Sequence, residues 1–102
     1  MARYRYHEDW RVSYRSDCNF AVSCRSLQDA LWIAELNGEQ TLITVHADCE
    51  HAGFKTAAHV GVYLRDARGK TVDDILALFD RQVDEYIACR LKTGQWGQSE
   101  VG

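Results

Sequence analysis

The chain of 102 residues predicts an α+β domain of two layers: a four-stranded, mainly antiparallel sheet with two helices on one face, in the order ββαββα. Two observations carry that expectation. Several stretches alternate apolar and polar side chains at period two, the signature of a strand. Two longer stretches carry apolar residues at steps of three and four behind recognisable helix caps.

The first stretch, Tyr4 to Arg15, reads as one long strand. Tyr4, Tyr6, Trp10, Val12 and Tyr14 fall on one side, and Arg5, His7, Arg11 and Arg15 on the other. Ser16-Asp17-Cys18-Asn19 interrupts it, and Phe20, Val22 and Cys24 then alternate against Ala21, Ser23 and Arg25, which predicts a hairpin. Ser26 is placed to cap a helix by accepting an orphan amide hydrogen of the first turn, with Asp29 at the capping-box position. Asn37-Gly38 ends that helix, because glycine tolerates the left-handed backbone that follows many helices.

Thr41 to Ala47 and Ala57 to Arg65 are rich in alternating apolar residues and predict two more strands. Between them a polar loop is expected from Asp48 to Thr56. Thr71-Val72-Asp73-Asp74 repeats the cap pattern, and Val72, Ile75, Leu76, Phe79, Val83, Tyr86 and Ile87 then form one stripe that runs to a stop at Gly94. Residues 1–94 therefore read as one domain and 95–102 as a disordered tail.

The chain is 46% apolar, enough for one core without staples, and its formal charge is −3, so no bulk attraction to nucleic acid or to an anionic membrane is expected. No apolar run approaches the about 20 residues needed to cross a bilayer. The four cysteines have no C-x-x-C spacing and no leader-like segment precedes them, so they are read as reduced thiols of a cytosolic protein.

Parity assigns a basic open sheet face: Arg3, Arg5, Arg11, Arg15, Arg25 and Arg65, with His7, His46, His59 and Tyr63 among them and Asp9 as its lone acid. Such a face suits an anion, either a phosphate held by guanidinium forks or nucleic acid with a base stacked on a ring. The same segregation also follows from strand propensity alone, since acids are poor in strands and arginine stems cover sheet surface well.

The first helix is apolar on two sides. Leu27, Ala30, Leu31 and Ala34 form the core stripe, whereas Trp32, Ile33 and Leu36 lie mostly off it and read as a partner-binding patch. A third cluster, His46, Asp48, Cys49 and His51, offers zinc-type ligands, with His59 returning beside it on the next strand. Strand alternation sends His46 and Cys49 to opposite sides unless the chain bends first.

Cys49 acting as a nucleophile would require His51 or His59 within hydrogen-bond reach. The sequence has no Gly-rich phosphate loop, G-x-S-x-G elbow or H-E-x-x-H motif. It therefore reads as a small cytosolic, non-enzymatic binding or accessory protein, of the general type of a phage or mobile-element adaptor or inhibitor. It is expected to act as a homodimer on another macromolecule, without cofactor or membrane. Nucleic-acid or phosphate binding on the arginine face and a zinc site in 46–59 are the two alternatives.

Overall fold

The alternating stretches are strands and the capped stretches helices in the computed structural model, which describes residues 3–14, 17–51 and 53–93. In chain order the elements are β1 (Arg5–Tyr6), β2 (Trp10–Tyr14), β3 (Asp17–Cys24), α1 (Leu27–Asn37), β4 (Leu42–His51), β5 (Phe54–Tyr63), α2 (Leu64–Ala67) and α3 (Val72–Thr93). Every strand pairing is antiparallel. Across the sheet the lanes run β3, β2, β4, β5, and β1 sits beside β4 beyond the end of β2. The five strands thus fill four lanes.

The expected first strand is two strands rather than one. Tyr6 lies opposite Ala47 and Arg11 opposite Thr44, so the N-terminal lane uses four residues where β4 uses two. An even insertion breaks the ladder around Glu8 and Asp9 but keeps each side chain on its own face. Trp10 and Val12 accordingly point inward and are buried, while Arg5, His7 and Arg11 are exposed.

Helix α1 starts as its cap residues dictate. Ser26 Oγ accepts the Asp29 N–H at 3.1 Å, and at the far end Gly38, at φ 110°, donates its N–H to Ala34 O at 2.9 Å. Thr71 and Asp74 form a reciprocal capping box for α3: Asp74 N–H donates to Thr71 Oγ1 at 3.1 Å, and Thr71 N–H to Asp74 Oδ2 at 3.3 Å.

Both helices lie on one face and share one core. Leu27, Ala30 and Ala34 of α1 and Ile75, Phe79 and Val83 of α3 are buried with Ile43, Val45 and Ala47 of β4 and Val60 and Val62 of β5. The Phe79 ring lies 6.0 Å from both Tyr6 and Trp10, so the N-terminal aromatics close the core against α3. Asp80 is buried beside them, where its carboxylate accepts the Tyr6 hydroxyl at 2.7 Å and the Arg3 backbone N–H at 2.9 Å. One turn on, Asp84 accepts both the Tyr4 hydroxyl and the Arg3 guanidinium. At Gly61 the outer edge of β5 is capped from α3: Gly61 N–H donates to Gln82 Oε1 at 3.1 Å, and Gln82 Nε2 donates to Gly61 O at 2.9 Å.

Several sequence expectations change. The loop from Asp48 to Thr56 is mostly strand, because β4 and β5 continue until His51 pairs with Phe54 and only positions 52 and 53 connect them. Gly53, at φ 85°, supplies the left-handed turn. Leu64 and Arg65 belong to the one-turn helix α2, where the chain leaves the sheet as Leu64 N–H bonds Thr41 O at 2.8 Å. Val22, on the core side by parity, is 49% exposed at the edge of the helical layer, and Thr44, on the open side, is 9% exposed. Gly94, the expected helix stop, and the tail from 95 to 102 lie outside the described residues.

Because Phe79 joins both helical and aromatic sides of the core, Phe79→Ala is expected to cost about 3–5 kcal/mol. Chemical denaturation of the variant beside the parent measures it.

Candidate functional site

Two surfaces remain once the core is accounted for: the outward side of α1 and the open face of the sheet. Helix α1 buries Leu27, Ala30 and Ala34, which places Trp32 and Leu36, one turn apart, on the opposite side. Trp32 is 64% exposed and Leu36 70%. Ile33, expected in the same patch, is half-buried on a flank and packs against the core. The ridge is flanked by a small acidic excess, because Arg68 from the α2–α3 connection lies 2.6 Å from Glu39 and 3.9 Å from Glu35 and offsets only one of the two carboxylates.

The open sheet face is less basic than parity alone suggested. Arg3 turns to α3 and pairs with Asp84, which removes it from this face. The Tyr4 hydroxyl bond to Asp84, ahead of burial, pushes the Tyr4 phenol up to about 12, and Tyr4 and Arg3 together hold the Asp84 carboxyl below its ordinary range. Arg65 leaves the sheet with α2, where its guanidinium lies 5.1 Å from the Tyr63 ring. Arg15 lies outside the described residues. Arg5, Arg11 and Arg25 stay exposed, but Arg11 is tied to Asp9 at 3.2 Å. The longer β4 also brings Asp48 and Glu50 onto this side, so cations and acids are interleaved rather than separated.

The centre of this face is a row of imidazoles. His46 and His59, directly opposite on β4 and β5, stack with centroids 4.6 Å apart, and His7 lies 6.0 Å from His46. His7 Nε2 meets Asp48 Oδ1 at 2.7 Å, and that bond is the first cause holding the Asp48 carboxyl low. Desolvation, with help from His46 and Arg11, lowers the His59 pKa. The sequence supplied all three histidines; their alignment became visible only with the strand register.

Of the proposed metal ligands, His46 and Asp48 share the open face, while Cys49 is buried on the other side; the His51 side chain lies outside what is described. No group of three or more His, Cys, Asp or Glu able to hold a metal occurs among the described residues. Nor are Cys49 and His59 brought together, since they occupy opposite faces. Burial raises the Cys49 thiol, which bonds Thr56 O at 3.7 Å. Where the N-terminal segment passes the far end of the β4–β5 hairpin, a cleft of about 430 Å³ mixes Arg3, Arg5 and Lys55 with Asp48 and Glu50. Among the described residues no helix is long and apolar enough to cross a membrane.

Compared with protein-family models, curated proteins and solved structures, the chain matches none.

His59 makes folding sensitive to acid. His59 has a lowered pKa in the fold, so as pH falls below about 6.5 the unfolded chain takes up this proton before the folded one. The stability it contributes is present above that value and is lost as pH falls through the folded pKa. Denaturation between neutral pH and about pH 5 should show a smaller acid loss for His59→Gln than for the parent; equal losses would assign the acid sensitivity elsewhere.

Proposed function

We propose that this is a non-enzymatic binding module that recognises another protein through the outward ridge of α1, with Trp32 as anchor and Leu36 beside it. The observation that carries the reading is their exposure, 64% and 70%, on a helix whose core contacts are already made by Leu27, Ala30 and Ala34. An indole held outward on a rigid helix gives a large contact area for little ordering entropy, and tryptophan is enriched among residues that dominate interface energies. Glu35 and Glu39, offset by the single Arg68, leave a small acidic excess beside the ridge, which disfavours a strongly acidic partner surface. The proposed setting is the cytosol, in keeping with Cys24, Cys49 and Cys89 as free thiols.

Affinity capture from host extract, with parent, Trp32→Glu and Leu36→Glu as baits, tests this reading. The parent is expected to retain a protein that both variants lose, while all three unfold within about 0.5 kcal/mol of one another because the side chains are exposed. Identical captures from all three baits would overturn it.

A further inference from the structure

The two edges of the sheet are treated differently. On β5 the Gln82 side chain occupies both hydrogen-bonding groups of Gly61, and α3 runs alongside. Among the described residues, β3 pairs with β2 alone and no side chain takes a comparable place on its outer edge. Sheet edges in soluble proteins are ordinarily blunted by charges, proline or short length. β3 is eight residues long, and from Cys18 to Cys24 it carries neither a charge nor a proline.

The direction of its free backbone groups follows from the register. Gly61 aims its N–H and C=O away from β4, so Thr44 opposite it aims its own toward β2, at Arg11. Arg11 answers Thr44, which leaves Ser23, opposite Arg11 on β3, with both groups turned to the open edge; two residues on, Ala21 does the same. Val22 between them bonds β2, and its side chain is the apolar one that parity puts on the core side yet leaves 49% exposed.

We infer that β3 pairs antiparallel with β3 of a second copy of this chain, about a two-fold axis at Val22, to give one continuous sheet. That register places Ala21 opposite Ser23 of the second copy, a hydrogen-bonded pair in both directions, and Val22 opposite Val22. The central pair is then of the non-hydrogen-bonded kind, with Cα atoms about 4.5 Å apart and side chains in contact. The contact covers the half-exposed Val22 side chain of both copies. A two-fold axis sets each residue against its own surface, so any charge near the axis would meet its like, and the uncharged run from Cys18 to Cys24 removes that penalty. Helix α1 packs over β2, with β3 and β4 to either side. With strands about 4.8 Å apart, the two α1 axes stand about 14 Å from each other, wider than the about 8–10 Å of directly packed helices, so the interface rests on the strand pairing and the Val22 contact. The ridge of Trp32 and Leu36 points away from the sheet and stays free in this dimer, so self-association and partner recognition use separate surfaces.

Light scattering and oxidative cross-linking test the inference. The parent is expected to scatter as a dimer and Val22→Glu as a monomer, a twofold loss of mass; the half-exposed position lets the variant fold, as circular dichroism would verify. Val22→Cys should form a dithiothreitol-reversible dimer on mild oxidation, because symmetric Cα atoms at that spacing fall within disulfide range. The parent with its native thiols and Ala21→Cys serve as controls. A parent that is monomeric at every concentration would overturn the inference, as would a Val22→Cys dimer no more abundant than that of Ala21→Cys. Either result leaves the α1 reading standing, because Trp32→Glu and Leu36→Glu test that surface independently.

Discussion

The fold depends on β4. β1, β2 and β5 all take their register from it, and its inward side chains Ile43, Val45, Ala47 and Cys49 are buried beneath the helices. A strand committed on both edges and one face cannot slip by one residue without moving its whole apolar set into water. The register of β4 therefore fixes which side of every other lane is wet. It also explains why the N-terminal lane tolerates its irregularity: a two-residue insertion leaves Tyr6, Trp10 and Val12 facing the core, whereas a one-residue insertion would have exposed either the tyrosine or the tryptophan.

Helix α3 anchors the N-terminal lane chemically as well as by packing. A carboxylate in a core is costly unless hydrogen bonds replace its water, and Asp80 receives them from the Tyr6 hydroxyl and the Arg3 backbone. Asp84 extends the same attachment to Tyr4 and to the Arg3 side chain. These bonds span about three-quarters of the chain, so the first residues of the domain are fixed by some of the last. Gln82, between the two acids, performs a different task on the same helix by capping the β5 edge at Gly61.

What the sequence made legible is local. Ser26 with Asp29 and Thr71 with Asp74 mark their helices because a cap is completed within three residues, and the aromatic alternation of Tyr4 to Val12 declares its faces wherever the ladder breaks. What it concealed involves partners far along the chain. Arg3 looks like one more outward arginine until Asp80 and Asp84 are brought beside it. The β4–β5 extension was hidden because Asp48, Glu50 and Lys55 outside and Cys49 and Ala58 inside alternate without large apolar side chains, so the segment reads as loop. Of the candidate sites, Trp32 and Leu36 were visible from the helical wheel, since a helix covered on one side cannot hide residues about 150° from its core stripe. The histidine row needed the register of three strands, and the difference between the two sheet edges needed the position of Gln82.

A domain of this size has one apolar layer to cover one sheet face, and α1 carries more apolar surface than that layer can hide. The fold therefore divides its tryptophans: Trp10 is inside at 7% exposure and Trp32 outside at 64%. Acrylamide quenching of two variants measures it directly, Trp10→Phe with Trp96→Phe to leave Trp32 as the emitter, and Trp32→Phe with Trp96→Phe to leave Trp10. Trp10 is expected to emit blue-shifted and resist quenching and Trp32 to emit red-shifted and quench readily; a Trp32 as protected as Trp10, or a Trp10 as open as Trp32, would overturn this division.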